Sequence, residues 1–342
     1  MISFRAGLFF NDEMTDFEDW VFYLSEHASD ADWRKSSDPE EGPKHYIDID
    51  NYSVFESEGA IPQSLTECET TFGKEFVKDN GYLPWATISS YDSLVSALKK
   101  EDWNKAKIFA ADLGHYVADG HMPLHLTRNY NGQFTGNTGI HSRYEIDMIN
   151  TYQDKITYEG SPATVAENVS DYIFSYIYEN YAYMDSLLIA DDYAKEMAES
   201  GSSDLYYAAL WEKTEHLTVL MFEKASKALA DLIYTAWLEA GKPSKSINTS
   251  TRLDSEGEKK VQISPNPVHS SFNVRLNQEF DGKPHAFICD LTGRKVEVKI
   301  DFFWNATEKE LTWDASSLKN GIHFFQIQDQ DRHIHIPFLV LH

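Results

Sequence analysis

The hydrophobic period of this chain changes once, at residues 244–260, and that change limits what it can fold into. Upstream, Phe17, Trp20, Val21, Leu24 and Ala28 keep the three-to-four spacing of a helix face, with Asp16 as a candidate N-cap, which predicts a helix over 17–35. The same reading predicts helices over 64–77, 89–100, 103–118, 140–152, 164–179 and 205–238, the last stopped by Gly241 and Pro243. SKSINTSTRLDSEGEKK, at 244–260, has almost no large apolar side chain and reads as a linker. Beyond it VQISPNPV, SFNVRL, HAFICDL, KVEVKIDF, KELTWD and IHFFQIQ alternate with period two or run short and apolar, separated by turn signals at Leu291–Gly293 and Lys319–Gly321. The expected architecture is mainly α: a multi-helical domain over 1–243, a linker, and a small all-β sandwich over 261–342.

Composition excludes several partners. The formal net charge is −25, and 45 of the 55 acidic residues precede residue 261. Such a surface repels a nucleic-acid backbone and an anionic membrane at long range, so no stable duplex partner is expected. Cys68 and Cys289 are too few for a disulfide framework or a thiolate metal site and read as buried small side chains. No apolar run approaches the ~20 residues of a membrane span. The opening MISFRAGLFFNDEMTDFEDW is too acidic and too broken for a secretory signal, which taken alone points to the cytoplasm.

The chemistry concentrates in GHYVADGHMPLHLTRNYNGQFTGNTGIHSRYE, residues 114–145. His115 and Asp119 stand four apart, as do His141 and Glu145, so on helices each pair projects from one face and can hold a single metal ion. His125 lies between them. EHASDADWRKSSDPEEGPKHYIDID, earlier in the chain, adds Asp30 or Asp32 and then His45. Asp30, His45, His115 and Asp119 form one candidate set; His125, His141 and Glu145 form a second with room for water. His27 and His121 read as neighbours or surface residues, Tyr46 and Ile47 as packing, and Asp48 and Asp50 as carboxylates that orient histidine ligands. Tyr82 and Trp85 read as core, with cleft lining as the alternative.

HYID, GHYVADGHMPLH and IHSRYE together closely resemble the zinc-dependent phospholipase C and S1/P1 nuclease superfamily, over about residues 17–243. The resemblance implies a helical fold and a zinc phosphodiesterase site, with Asp30, His45, His115 and Asp119 on one Zn²⁺ and His125, His141 and Glu145 on another. It favours Asp30 over Asp32 because Asp30 stands fifteen residues before His45. Glu145 at the end of HSRYE resembles the phospholipase C branch, whereas the nuclease branch tends to end in Asp. Arg34 resembles a phosphate-contacting arginine of the nuclease branch, but its spacing favours an i,i+4 pair with Asp30. The family's third zinc is held by an N-terminal Trp and a nearby His; this chain has no N-terminal Trp and no His before His27. Zinc in such a site acidifies bound water and neutralises transition-state charge. Asp30 or Asp119 is the expected group to orient the nucleophile.

ISPNPVHSSFNVRL, CDLTGRKV and LTWDASSLKNGIHFFQI resemble the type A C-terminal sorting domain of the type IX secretion system of Bacteroidetes-like bacteria, carried by Pro265–Pro267, Thr292–Arg294 and Leu318–Gly321. That implies a secreted or cell-surface protein that meets the export machinery through residues 261–342. Cargo of that system carries a signal peptide, so the missing signal, Trp and His point to an internal Met1 and a natural product extending upstream. The expected function is a secreted phospholipase C-like zinc hydrolase acting on phospholipid head groups or related phosphate esters. The alternatives are an S1/P1-type single-strand nuclease and a catalytically silent metal-binding surface module.

Overall fold

The computed structural model describes the chain except at 12, 18–19, 199–201, 246–260, 266–267, 277–284, 290–294, 297–302, 306–309, 319–320, 330–331 and 341–342. The chain divides into two units, Met1–Lys245 and Ser246–His342. The first is all-helical. Its helices are α1 (Ile2–Leu8), α2 (Trp20–Glu26), α3 (Asp30–Arg34), α4 (Ser53–Glu58), α5 (Leu65–Phe72), α6 (Lys74–Asp79), α7 (Leu83–Lys99), α8 (Trp103–Asp119), α9 (Ile140–Ser142), α10 (Ile149–Tyr152), α11 (Val169–Tyr181), α12 (Met184–Met197) and α13 (Asp204–Glu239). A π-helical turn, Arg143–Met148, joins α9 to α10.

Local chemistry sets most of these boundaries. Ser64, Asp102, Asn168 and Ser203 each accept from a backbone N–H in the first turn of α5, α8, α11 and α13, satisfying a donor that the helix leaves free. The region predicted as one helix over 64–77 is split at Gly73, whose φ of +93° ends α5 before α6 begins. The predicted 17–35 helix is likewise broken, into a 3₁₀ turn at Thr15–Phe17, then α2 and α3. The helix predicted over 164–179 starts five residues late, because Thr164 donates its N–H to Asp231 and Asn168 provides the cap. α1, α4 and α12 carry no matching prediction.

α13 is about 54 Å long at 1.5 Å per residue. It serves two cores. Leu229, Leu232 and Ile233 in its C-terminal half pack with Trp20, Leu94, Leu98, Leu113, Val117 and Phe174. Leu210 and Trp211 in its N-terminal half pack with Leu124, Ile140, Tyr144, Met148 and Leu187. α8 comes so close to α13 that a Cβ on Gly114 would lie 2.9 Å from Leu229 Cδ2. No helix among the described residues is long and apolar enough to cross a membrane.

The second unit holds two four-stranded antiparallel sheets. One has the order β1 (Val261–Ser264), β2 (Ser271–Leu276), β6 (Glu310–Asp314), β5 (Phe303–Asn305); the other runs β4 (Lys295–Val296), β3 (His285–Cys289), β7 (Gly321–Asp329), β8 (Arg332–Val340). The register pairs Phe272 with Trp313 and Val274 with Leu311, which puts four apolar side chains on one face of the first sheet. They meet Ile288, Phe325, Phe338 and Val340 in a single core. β8, beyond the last segment with a strand signal in the sequence, pairs along its whole length with β7. The motif residues Asn266, Pro267, Leu291–Arg294, Lys319 and Asn320, and the linker at 246–260, lie outside the described residues.

Candidate metal centre

Three elements deliver the first donor group. α8 carries His115 and Asp119 one turn apart on the face it turns away from its Ala110, Leu113 and Val117 core contacts. A 3₁₀ turn at Gly42–His45 brings His45 in from the opposite side, and α3 supplies Asp32. His45 Nδ1 lies 3.0 Å from Asp119 Oδ2, 3.0 Å from His115 Nε2 and 3.7 Å from Asp32 Oδ1. His115 Nε2 lies 3.4 Å from Asp119 and 3.6 Å from Asp32.

The second group sits beside it. His125, from the 3₁₀ turn at Pro123–His125, places Nε2 3.4 Å from Glu145 Oε2. His141 Nε2 lies 2.8 Å from the same oxygen, with its ring stacked on His125 at 4.9 Å. The segments that carry the two groups are bonded to each other: Ile47 N–H donates to the His125 carbonyl at 2.9 Å, and His125 Nδ1–H donates to the His45 carbonyl at 2.8 Å. Asp119 lies between the groups, its other oxygen 3.3 Å from His125 Nδ1. Asp32, His115 and Asp119 of the first group and all three residues of the second line one cavity of about 470 Å³, shared with Lys35, Met122, Ile146, Ile149, Met221 and Phe222.

Four ligand atoms about 2.0 Å from a tetrahedral zinc would stand about 3.3 Å apart. The donor separations here, 2.8 to 3.7 Å, bracket that edge. Three histidines also anchor their outward nitrogen on a backbone carbonyl: His115 on Ala28 at 2.6 Å, His125 on His45 at 2.8 Å and His141 on Tyr130 at 3.2 Å. That fixes the ring and leaves Nε2 facing the group, as metal-bound imidazoles require.

Electrostatics agree with the geometry. Burial disfavours charge on His115, yet the hydrogen bond to Asp32 and the charge of Asp119 outweigh it and push the imidazole up to about 9. His125 reaches about 9 for the same reason, with burial opposed by Asp119 and Glu145. Asp32 is held well below the carboxylate range by the His115 hydrogen bond and by Lys35. Glu145 is held low too, where bonds from His125 and His141 overcome its desolvation. The carboxylates thus retain protons on their imidazoles, and a divalent cation offers the same positive charge in their place. The residues fit zinc.

Asp30 stands outside both groups. It is bonded to His27 at 2.7 Å, and Asp32 occupies the place beside His45 and His115. Residues two apart on a helix point about 200° away from each other, so α3 can present only one of the two aspartates to the group. Among the described residues, Asp32–His45–His115 and His125–His141–Glu145 are the two triads whose donor atoms converge tightly enough for a metal. Arg34 does not pair with Asp30; it bonds Asp112 at 2.9 Å and Glu41 at 3.3 Å. Asp50 does not bond a histidine, but accepts from Thr127 Oγ1 at 2.7 Å and the Arg128 N–H at 2.9 Å.

His121 lines the cavity without joining either group. It donates to the Val117 carbonyl, stacks on Tyr176 at 4.4 Å, and is pushed down to about 4 by burial. Ile47 is fully buried. Tyr82 and Trp85 line a separate cleft, and Trp85 is also largely buried. Glu41, which no motif in the sequence marks, is 1% exposed, and its Oε1 stands 3.6 Å from His45 Nε2. The Glu41–His45 spacing of four was its only signal in the sequence.

The C-terminal unit has a counterpart among known families. Residues 262–340 match the secretion system C-terminal sorting domain. Among solved structures, the chain is similar to the alpha toxin of Clostridium absonum, with a TM-score of 0.45 and 11% identity, covering 99% of this chain and 96% of that one. It is similar also to the alpha-toxin of an avian strain of Clostridium perfringens, SWCP, with a TM-score of 0.42 and 11% identity, covering 98% and 96%. No curated protein matches the chain.

Proposed function

We propose that the helical unit is a zinc-dependent phosphodiester hydrolase of the phospholipase C type, exported through its C-terminal sorting domain by a type IX secretion system. The observation that carries this reading is the pair of His/carboxylate groups opening into one cavity, with Asp119 between them. Asp32, His45, His115 and Asp119 would hold one zinc, and His125, His141 and Glu145 the other. Bound zinc supplies an acidified water and neutralises charge that develops on phosphate oxygens.

The remaining roles belong to the chain. Asp119, 7% exposed, is placed to orient a nucleophile and accept its proton, a role that Asp32 shares in place of Asp30. Lys35, on the cavity wall, offers an ammonium to a phosphate oxygen. Met122, Ile146, Ile149, Met221 and Phe222 add an apolar lining to the cavity, which suits a substrate with a hydrocarbon portion better than a stacked nucleobase.

The test combines zinc stoichiometry by elemental analysis with turnover of bis(p-nitrophenyl) phosphate, phosphatidylcholine and single-stranded DNA, before and after chelation. Zinc uptake with chelator-sensitive turnover of the lipid is expected. Turnover of DNA alone would replace this reading with the nuclease, and bound zinc without any turnover would replace it with a silent metal-binding module.

A further inference from the structure

The outward nitrogens of the four site histidines reveal a residue with no assigned role. His115, His125 and His141 each rest theirs on a backbone carbonyl. His45 does not. It turns Nδ1 toward Asp119, His115 and Asp32, so its outward nitrogen is Nε2, which is buried without a hydrogen-bond partner. The acceptor facing it is Glu41 Oε1, at 3.6 Å.

Glu41 is an unusual group to find there. Its side chain is almost entirely buried, and three elements hold it in place. Lys44 from its own turn donates to Oε2 at 2.8 Å, Arg34 from α3 donates to Oε1 at 3.3 Å, and Tyr116 from α8 donates to Oε1 in a short bond. Arg34 is shared with Asp112 of α8. Both oxygens of Glu41 accept, from the two cations Lys44 and Arg34 and from the Tyr116 hydroxyl, which is the arrangement of a carboxylate. A buried anion costs desolvation that hydrophobic packing would avoid, which calls for a purpose beyond stability.

We infer that Glu41 is a positioning residue for the metal centre, accepting from His45 Nε2–H and so fixing the tautomer that presents Nδ1 to the zinc. This rests on the zinc reading above and extends it to how the first group is held. With a cation held on Nδ1, Nε2–H would be a stronger donor toward Glu41 Oε1, which stands 3.6 Å from it. Orienting carboxylates of this kind commonly change metal affinity by about 10- to 100-fold when removed.

The test uses the full chain with its 13 histidines ¹⁵N-labelled and loaded with zinc, reading ring tautomers from long-range ¹H–¹⁵N correlations. In the wild-type chain His45 should carry its proton on Nε2 and show a metal-shifted Nδ1, the reverse of His115, His125 and His141. Competition with a chromophoric chelator should show zinc about 10- to 100-fold weaker at the His45 group in Glu41→Ala. Glu41→Gln keeps an acceptor and should retain much of that affinity. The His125–His141–Glu145 group should stay within about twofold in both variants.

A proton on His45 Nδ1 in the zinc-loaded wild type overturns the inference, and this spectrum decides even if the variants do not fold. So does a folded Glu41→Ala chain that binds zinc unchanged, or one that weakens both groups equally in step with its Tm, which would make Glu41 merely structural. A wild-type chain that takes up no zinc overturns the zinc reading itself, a result distinct from zinc bound with the wrong tautomer.

Discussion

Individual side chains decide which carboxylates matter. α3 offers two aspartates with nearly the same spacing to His45, and only the turn of the helix separates them: Asp32 stands 3.6 Å from His115 Nε2, whereas Asp30 is engaged by His27. Asp32→Asn should therefore weaken zinc at the first group by roughly 10-fold or more, since it deletes an anionic ligand. Asp30→Asn should leave zinc affinity within about twofold, both measured by chelator competition. Asp48 makes a second case. Burial, with Asp50 adding repulsion, pushes its carboxyl up to about 7. A carboxyl whose native pKa lies above its unfolded value binds more protons when folded, so stability falls as pH rises from about 4 to about 7 and stays reduced above that. The full displacement is worth about 4 kcal/mol, and because Asp48 is only partly buried, screening by water reduces the expected effect to about 1–2 kcal/mol. Asp48→Asn should accordingly raise the midpoint of urea unfolding at pH 8 and leave it unchanged at pH 4. Equal gains at both pH values would mean that packing, not ionisation, is responsible.

At the scale of elements, the π turn Arg143–Met148 carries one metal-group carboxylate and is tied to two helices. Glu145 lies within it, and Arg143 ties it to α12 and α13 by bonding Asp191 at 2.7 Å and the Tyr206 hydroxyl at 2.8 Å. Asp191 is fully buried and also binds Lys195, Tyr206 and Asn137. Without Arg143 the buried Asp191 keeps Lys195 but loses a charge-assisted bond, so Arg143→Met should cost about 2 kcal/mol and loosen zinc at His125–His141–Glu145 before the first group. Thermal unfolding and zinc competition would show both, and a loss confined to Tm would confine the network to stability. Elements differ in how far they could be read in advance. The i,i+4 pairs His115–Asp119 and His141–Glu145 were legible because helix periodicity alone brings them together. So were α8 and α13, which are long and strongly patterned. The split between α2 and α3 was not, because the apolar spacing from Phe17 to Ala28 stays helical past Glu26, where α2 ends. β8 escaped notice because RHIHIPFLV contains a proline and two histidines, and pairing with β7 overrides that local signal. Glu41 depends on contacts with α3 and α8 that no local pattern announces.

The whole molecule separates its chemistry from its export signal. Every donor of the candidate metal centre lies in Met1–Lys245, and the match to the sorting domain lies wholly in Ser246–His342, each unit having its own apolar core. Ligands that bind only the native state stabilise it by mass action, by about 4 kcal/mol at a concentration a thousandfold above Kd. For a unit of this size each kcal/mol moves Tm by roughly 2–4 °C. Chelation should therefore lower the melting of the helical unit by roughly 8–16 °C per tightly held ion, and leave the melting of the β unit where it was. Calorimetry of the full chain with and without a chelator measures both at once. A chain ended after Lys245 should take up zinc with the same stoichiometry and show the same chelator-dependent shift. If that shorter chain binds less zinc than the full one, residues beyond 245 contribute to the site, and the division of labour between the units fails. If it binds the same, the acidic helical unit holds its metal without the β unit. Appending residues 246–342 to an unrelated secreted domain, in a host with that machinery, should then export the domain to the cell surface or the medium.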